Sequence, residues 1–512
     1  IPSRGRSHQP PAMSSFIPSS SPAKKGWATV GNLLLASAAG LFMALGNGCA
    51  VGPDYRPPTP ALPGGFQNAP TRAETGTNDL ALWWKVFRDP RLDALIQQAA
   101  NANLDLRMAE SRIREARALR GQARSTWFPT VGSVGSYSRS LTSGNSLNGT
   151  GLNQFGIPLE NDNFSTGLDM TWELDVFGGT RRGVEAAAAE LMAAGEFRNE
   201  ARVSVLAEVG LNYLELRGLQ RQLAITRDNL RSQEQTSAIA RDRLNAGLSG
   251  ELDASRAVAQ VERTRALLPA LEDGIQRAIH RLSVLLGTVP ATLASELTPA
   301  GDLPGAEAPG VPVGLPSDLL RRRPDVRKAE RQLAAANARI GVATAELFPK
   351  FYLTGAAGFQ GIEASDLFEA GSRSWSLGPS VRWPIFSAGR ISQGIRVQEA
   401  RQEQALIRYE QAVLTSLEEV ENALVSFGKE QDRHQALQAS EAASRRSVTL
   451  AHSQHRAGLV DFLNVLTTER ELLGIQDELT QSDRRLGQHL IRLYKALGGG
   501  WDPPAPTAVA TK

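Results

Sequence analysis

Phe164-Ser-Thr-Gly-Leu-Asp-Met-Thr-Trp-Glu-Leu-Asp-Val176 alternates almost without error. In an extended strand, Phe164, Leu168, Met170, Trp172, Leu174 and Val176 fall on one face, and Ser165, Asp169, Thr171, Glu173 and Asp175 on the other. After Phe177-Gly-Gly-Thr-Arg181 the period becomes helical, and no proline or strong stop follows until Gly247. That is about 67 residues, or ~100 Å of helix at 1.5 Å per residue. An apolar-out, acidic-in strand feeding a helix several times the usual length is a membrane strand joined to a rod.

Composition narrows the classes. The chain has 512 residues, 56 Lys+Arg against 53 Asp+Glu, and a formal net charge of +3. Both signs interleave along the helices, as on solvated faces, so no phosphate-binding patch or nucleic-acid partner is indicated. A single cysteine, Cys49, excludes an internal disulfide and a cysteine metal site. Lys24-Lys25, the apolar stretch from Ala28 to Leu45 and Gly46-Asn-Gly-Cys49 describe a secretory signal over 1–48, with Met13 a candidate start. A cut before the lone cysteine makes Cys49 the candidate lipidated residue, although Gly46 stands where Leu is usual. The other reading is an uncleaved anchor helix.

Downstream, 49–88 is an N-terminal linker segment, Pro/Gly/Ala-rich to about Pro70, and Leu82-Trp-Trp-Lys-Val-Phe-Arg-Asp-Pro90 anchors the first helix. Asp89 and Pro90 open a helix predicted to run unbroken to about Thr126. A strand covers Thr130 to Leu141, and a Ser/Asn/Gly-rich loop fills the span to Asp162. The long helix turns at Asn245-Ala-Gly-Leu-Ser-Gly250, and a further helix to Gly287 should bend at Pro269.

The plan then starts again. Asp105-Leu-Arg-Met-Ala-Glu110 matches Asp325-Val-Arg-Lys-Ala-Glu330, and Phe128-Pro129 matches Phe348-Pro349. Leu168…Phe177…Arg181 matches Leu377…Phe386…Arg390, Ala246-Gly-Leu248 matches Ala457-Gly-Leu459, and Leu286-Gly287 matches Leu497-Gly498. Landmarks in one order across two halves mean an internal duplication. The expected units are a repeat over 89–288, a connector over 289–316, a second repeat over 317–498 and a tail over 499–512.

Each half reads helix, strand, strand, long helix, turn, helix. The shorter helices of the second half, near 317–347 and 461–497, together equal its long helix over about 389–457 in length. Two short helices stacked end to end can thus flank one long one. Val209, Leu216, Leu223 and Leu230 step by seven, and Val413, Leu417, Val420, Leu424 and Phe427 by four and three, as in coiled coils. Four strands cannot close a membrane barrel, and an open edge in lipid would leave backbone groups unpaired. The barrel must be shared between chains.

On Gly-Cys49-Ala-Val-Gly-Pro-Asp-Tyr55, Trp83-Trp84, Phe87-Arg-Asp-Pro90, Arg321-Arg-Arg-Pro-Asp325, the Phe-Pro pairs and the Ala-Gly-Leu turns, the chain resembles the TolC-like outer membrane factors. More narrowly, it resembles the NodT-type lipoproteins that pair with RND efflux pumps. The resemblance implies a mainly α protein with membrane β: a coiled-coil helical barrel carrying a shared transmembrane β-barrel of 12 strands in a homotrimer. It implies an outer-membrane, lipid-anchored exit duct reaching into the periplasm, passive and without cofactor. Its implied partners are a periplasmic adaptor, an inner-membrane RND pump and outer-membrane lipid.

Carried over by residue, Ala246, Gly247, Leu248, Arg456, Ala457, Gly458 and Leu459 form the tip where the adaptor docks. The gate candidates are Asp253, Asp461, Asn464 and Thr467; the plainer reading makes Asp253 and Asp461 solvated tip residues, with Asp461 capping its helix. In the barrel, Asp169, Glu173, Asp175 and Arg382 are expected to face the lumen.

No phosphate loop, nucleophile elbow or metal-ligand set appears, and the six histidines read as scattered, exposed helix residues. The function expected is a tripartite efflux duct for drugs or small toxic molecules. The alternatives are a type I protein-secretion duct and a lipid-anchored periplasmic coiled-coil scaffold.

Overall fold

The computed structural model describes residues 50–69, 80–305 and 314–502. The expected signal over 1–48 and the lipidation candidate Cys49 lie outside them.

Four strands, β1 (Thr130–Leu141), β2 (Glu160–Leu174), β3 (Lys350–Gly361) and β4 (Arg373–Arg382), form one antiparallel sheet in chain order. The β2–β3 pairing joins the two repeats, with Met170 opposite Gly355 and Trp172 opposite Leu353. Directly opposed residues share a face. Val131, Met170 and Leu377 therefore lie on one side with Leu168, Trp172, Phe351 and Trp375, while Thr130, Thr171 and Thr354 lie on the other with Asp169 and Ser376. The alternation read from 164–176 is the two-sidedness of this sheet. Trp172 donates to the carbonyl of Trp127 and Trp383 to that of Leu347, each at 3.0 Å, which ties the strands to the helix ends before each Phe-Pro pair. β1 and β4 are the sheet's edges.

Between β1 and β2 the chain is less irregular than expected. A short helix, α3 (Leu147–Gln154), starts after Ser146, whose carbonyl accepts from the Thr150 amide at 2.9 Å. β2 itself begins at Glu160.

The helix expected from Pro90 to Thr126 is two: α1 (Pro90–Ala102) and α2 (Leu104–Ser125). Asp89 caps the first, accepting from the Arg91 amide at 2.7 Å. Asn103 caps the second, its side chain accepting from the amides of Asp105 and Leu106 at 2.9 and 3.1 Å. The second repeat breaks at the matching place, with α7 (Pro316–Arg322) and α8 (Pro324–Ala345) separated by Arg323.

The two long helices are α4 (Gly179–Asn245) and α9 (Arg390–Arg456), each of 67 residues. After α4 come α5 (Glu251–Arg265) and α6 (Leu268–Leu285), interrupted just before Pro269 because proline lacks the amide that would continue the ladder. After α9 comes one helix, α10 (Phe462–Ala496). On the strand side the helices pack in the order α9, α8, α4, α2; on the far side the order is α9, α10, α4, then α5 and α6. Short helices stacked end to end thus flank the long ones. Val209, Leu216, Leu223 and Leu230 are all buried in the seam, as is Val420.

A thickened core lies midway along the rod. Trp83 stacks on Tyr494 with ring centroids 6.2 Å apart, and Leu92, Ile96, Leu206, Ile279 and Leu490 surround them. The C-terminal segment closes this core: the Gly500 amide donates to Leu80 and the Trp501 indole to the carbonyl of Arg322. Among the described residues no helix is long and apolar enough to cross a membrane.

Candidate functional site: tip turns, helical seam and strand face

The two Ala-Gly-Leu turns are built identically. Leu248 donates to the carbonyl of Arg243 at 2.7 Å and Gly247 to that of Leu244 at 2.9 Å; Leu459 and Gly458 donate to Gln454 and His455 at 2.9 and 3.0 Å. This paired closure needs a left-handed residue, and Gly247 (φ 69°) and Gly458 (φ 73°) supply it. Ala246 and Ala457 end the long helices. The closure turns both leucines outward: Leu248 is 67% and Leu459 75% exposed. Arg456 donates its Nε to the carbonyl of His452 at 3.3 Å. Behind the turns, Ala240, Ala257, Ala451, Phe462 and Val465 form a small core whose alanines let four helices approach closely.

The gate candidates divide into two sets. Asp253 and Asp461 line one groove of about 250 Å³ between the turns, together with Arg243, Ser249 and His455. Asp461 stands at the N-cap of α10, yet its side chain makes no capping bond; only its carbonyl accepts, from the Asn464 amide at 3.0 Å. Asn464 and Thr467 lie outside that groove, and the Thr467 hydroxyl is spent on the carbonyl of Leu463 at 2.9 Å.

Further along the rod, the α4–α10 seam is crossed by polar side chains that the sequence reading does not single out. Arg484 and Gln488 of α10 donate to Glu215 of α4 at 2.7 and 3.1 Å, Gln222 donates to Asp477, and Asn229 donates to Gln476 at 3.0 Å. Two links extend across a third helix. His434 of α9 meets Asp483 of α10 at 2.6 Å, and Asp483 meets Arg221 of α4 at 3.1 Å. His452 of α9 meets Glu469 of α10 at 2.9 Å, and Glu469 accepts from Thr236 of α4 at 3.1 Å. Burial pushes the Glu469 carboxyl up, against the opposing pull of His452 and Thr236. These two histidines are therefore paired rather than the free surface residues expected from their scatter. His455 is likewise engaged, its ring packing on Phe462 with centroids 5.4 Å apart. Among the described residues no group of three His, Cys, Asp or Glu side chains could hold a metal.

On the sheet, Asp169 lies opposite Gly132, which leaves room for its carboxylate. Glu173 and Arg382 share the polar face and are linked through β3: Lys350 lies 3.9 Å from Glu173, and the Arg382 guanidinium sits 5.8 Å from the centre of the Tyr352 ring. Asp175 departs from the expectation. It lies past the end of β2, where its carboxylate accepts from the amides of Thr180 and Arg181 at 3.0 and 2.8 Å. A carboxylate there complements the unpaired amides and positive end of α4, so it is a helix anchor rather than a free charge in a strand face.

The N-terminal strap joins at the same level. The Val51 amide donates to Phe177 at 3.1 Å, and Arg182 reaches Val51, Gly52 and Asp54. Gly52 (φ 94°) crosses Gly341 so closely that a Cβ would lie 2.4 Å from its Cα. The strap then runs along the rod, with Asn337 donating to Pro53 and Gln67 to Glu421.

Residues 95–288 and 315–499 match the family model described as outer membrane efflux protein, and the chain belongs to that family. It is 34% identical over 467 residues to the toluene efflux pump outer membrane protein TtgF of Pseudomonas putida, covering 89% of this chain and 95% of that one. It is 31% identical over 465 residues to nodulation protein T of Rhizobium leguminosarum bv. trifolii, covering 91% and 97%. The solved outer-membrane channel OprN superposes with a TM-score of 0.83 at 38% identity, covering 88% of this chain and 100% of that one. The protein is thus an outer-membrane efflux channel, a transport duct rather than an enzyme. Its four strands are one chain's share of a 12-stranded barrel in a trimer, and β1 and β4 are the edges that this chain leaves open.

Proposed function

We propose that this duct receives drugs or small toxic molecules from an RND-type inner-membrane pump through a periplasmic adaptor, and that the tip turns dock that adaptor. The carrying observation is the pair of matched turns, which leave Leu248 and Leu459 bare at the end of the rod farthest from the strands. Exposed leucines on rigid turns are apolar anchors for a partner. Asp253 and Asp461 border the groove between the turns and would set the charge at the mouth, with Asn464 and Thr467 on the same helix as Asp461. Asp169, Glu173 and Arg382 would line the lumen, opposite the apolar face that meets lipid.

In this reading Cys49 carries the lipid anchor. Ala50 and Val51 sit against Gly178 and Phe177 at the strand-to-helix junction, so the described strap begins at the strand end of the rod, as an anchor just upstream requires. Incorporation of radiolabelled palmitate, lost in Cys49→Ser, tests the anchor. Docking is tested by co-purification with a candidate periplasmic adaptor of an RND-type pump. Leu248→Asp with Leu459→Asp should abolish capture and leave the trimer intact; undiminished capture would overturn the docking assignment.

A further inference from the structure

The two three-helix links in the lower rod differ in one respect. Both join α9 to α4 through a carboxylate on α10. In the link nearer the core, Asp483 faces two groups, His434 from α9 and the permanently charged Arg221 from α4. In the link nearer the tip, Glu469 is 7% exposed, and α4 offers only the neutral Thr236 hydroxyl. Among the described residues, His452 is the one titratable side chain that acts on its carboxyl. The second oxygen, Oε2, is buried with no partner. The links are 15 residues apart on α4, about 22 Å along the helix.

We propose that His452, Glu469 and Thr236 form a proton-dependent clasp that holds the α9–α10 pair against α4 near the tip, while Arg221, Asp483 and His434 form a second link above it that contains a permanent cation. The proposal rests on the duct reading for its consequence, not for its geometry.

The physical basis is the cost of a buried carboxylate. Imidazole is the side chain whose ordinary titration spans about pH 5 to 8. With His452 protonated, Glu469 has a cation at 2.9 Å and a hydroxyl at 3.1 Å. With His452 neutral, the carboxylate keeps only neutral donors and one bare oxygen in a site that water scarcely reaches. Separating the helices hydrates it. The sign is the same from the side of Glu469: burial raises its folded pKa, so its share of stability is present at low pH and is lost as pH rises. Asp483 has the permanently charged Arg221 at 3.1 Å, so the rod loosens from the tip upward and stays pinned above. The clasp would make the resting duct tightest in acid.

The test places spin labels at Asn245→Cys and Gln454→Cys, both near the turns, in the detergent-purified trimer. The distribution of label distances is read from pH 5.5 to 8.5, in parallel with open probability in planar bilayers. The proposal predicts a separated population that grows about tenfold relative to the closed one across that range, the order expected for one charge-assisted hydrogen bond per protomer. His452→Gln, a neutral donor, should give the separated distribution at every pH; His452→Arg should give the closed one at every pH. His434→Gln should leave the wild-type profile unchanged. Distances that do not respond to pH in the wild type overturn the clasp, as does a His452→Gln profile identical to wild type. Distances that respond in a protein without conductance uphold the clasp and overturn the duct. Conductance with pH-invariant distances does the reverse.

Discussion

Asn103 and Arg323 occupy the same position in the two repeats, and each donates to the last turn of the returning helix. Asn103 Nδ2 reaches the carbonyl of Leu285 at 2.8 Å, and Arg323 Nη1 reaches that of Ala496 at 3.1 Å. Leu285 and Ala496 are themselves equivalent, each just before the Leu-Gly that ends its repeat. One residue at the helix break thus pins the two stacked short helices end to end. Arg323 does more than Asn103, since it also holds Asp325 and Glu419 at 2.6 Å.

The two breaks should therefore differ in what their loss costs. Arg323 is 7% exposed, and removing it as Arg323→Ala strands Asp325 beside a bare carbonyl. Breaking a half-buried ion network of this kind costs about 3–5 kcal/mol. Asn103→Ala forfeits a cap and one buried acceptor, about 1–2 kcal/mol. Urea melts of the detergent-solubilised trimer should rank Arg323→Ala well below Asn103→Ala; equal midpoints would count against the shared pinning role.

Acid should act through the same site. Burial pushes the Asp325 carboxyl up, but the hydrogen bonds and charge of Arg323 outweigh it and hold it below the usual range. A depressed folded pKa contributes stability above the ordinary carboxylate range and loses it as pH falls through the depressed value. Asp325→Asn should lower stability at pH 7 and flatten the loss between about pH 5 and pH 2. A wild-type acid limb retained in the variant would remove Asp325 from the account.

The strap is tested at its tightest point. Gly52→Ala places a Cβ against Gly341 at a left-handed backbone position, so the strap should lift from α8 while the rod stays folded. Chymotrypsin cleavage after Tyr55, which the seated strap holds against Glu330, should accelerate severalfold with the melting temperature changed little. Unchanged cleavage would mean that the crossing is not needed to seat the strap.

The barrel face gives a fourth expectation. Glu173→Gln and Arg382→Gln alter charge on the polar side without touching the apolar side. They should shift the cation-to-anion preference of the conducting trimer in opposite directions, with extraction and trimer yield unchanged. Loss of membrane extraction instead would mean that this face meets lipid.

Much of this architecture is legible in the sequence because it depends on periodicity. The strand alternation, the two 67-residue helices, the Ala-Gly-Leu turns and the break at Pro269 are each written locally. The break at Asn103 also has a local signal, a capping residue inside an apolar periodic run, but the continuing helical pattern masks it. The seam is not legible. Glu215 meets Arg484 across 269 residues and Thr236 meets Glu469 across 233, and only the register of four packed helices brings them together. His452 and Glu469 are 17 apart, yet their pairing depends on where the turn places α10 against α9. Asp175 escapes for a related reason: alternation alone does not say where a strand ends and a helix begins to need its amides paired.

A duct completed only by several chains must be oligomeric and must conduct. Stoichiometry and planar-bilayer conductance of the mature protein, extracted from outer membranes in detergent, measure both at once. The expected result is a stable trimer that conducts, in steps that grow when the α4–α10 seam is loosened by Glu215→Ala. A monomer released without detergent, and silent in bilayers, would contradict it.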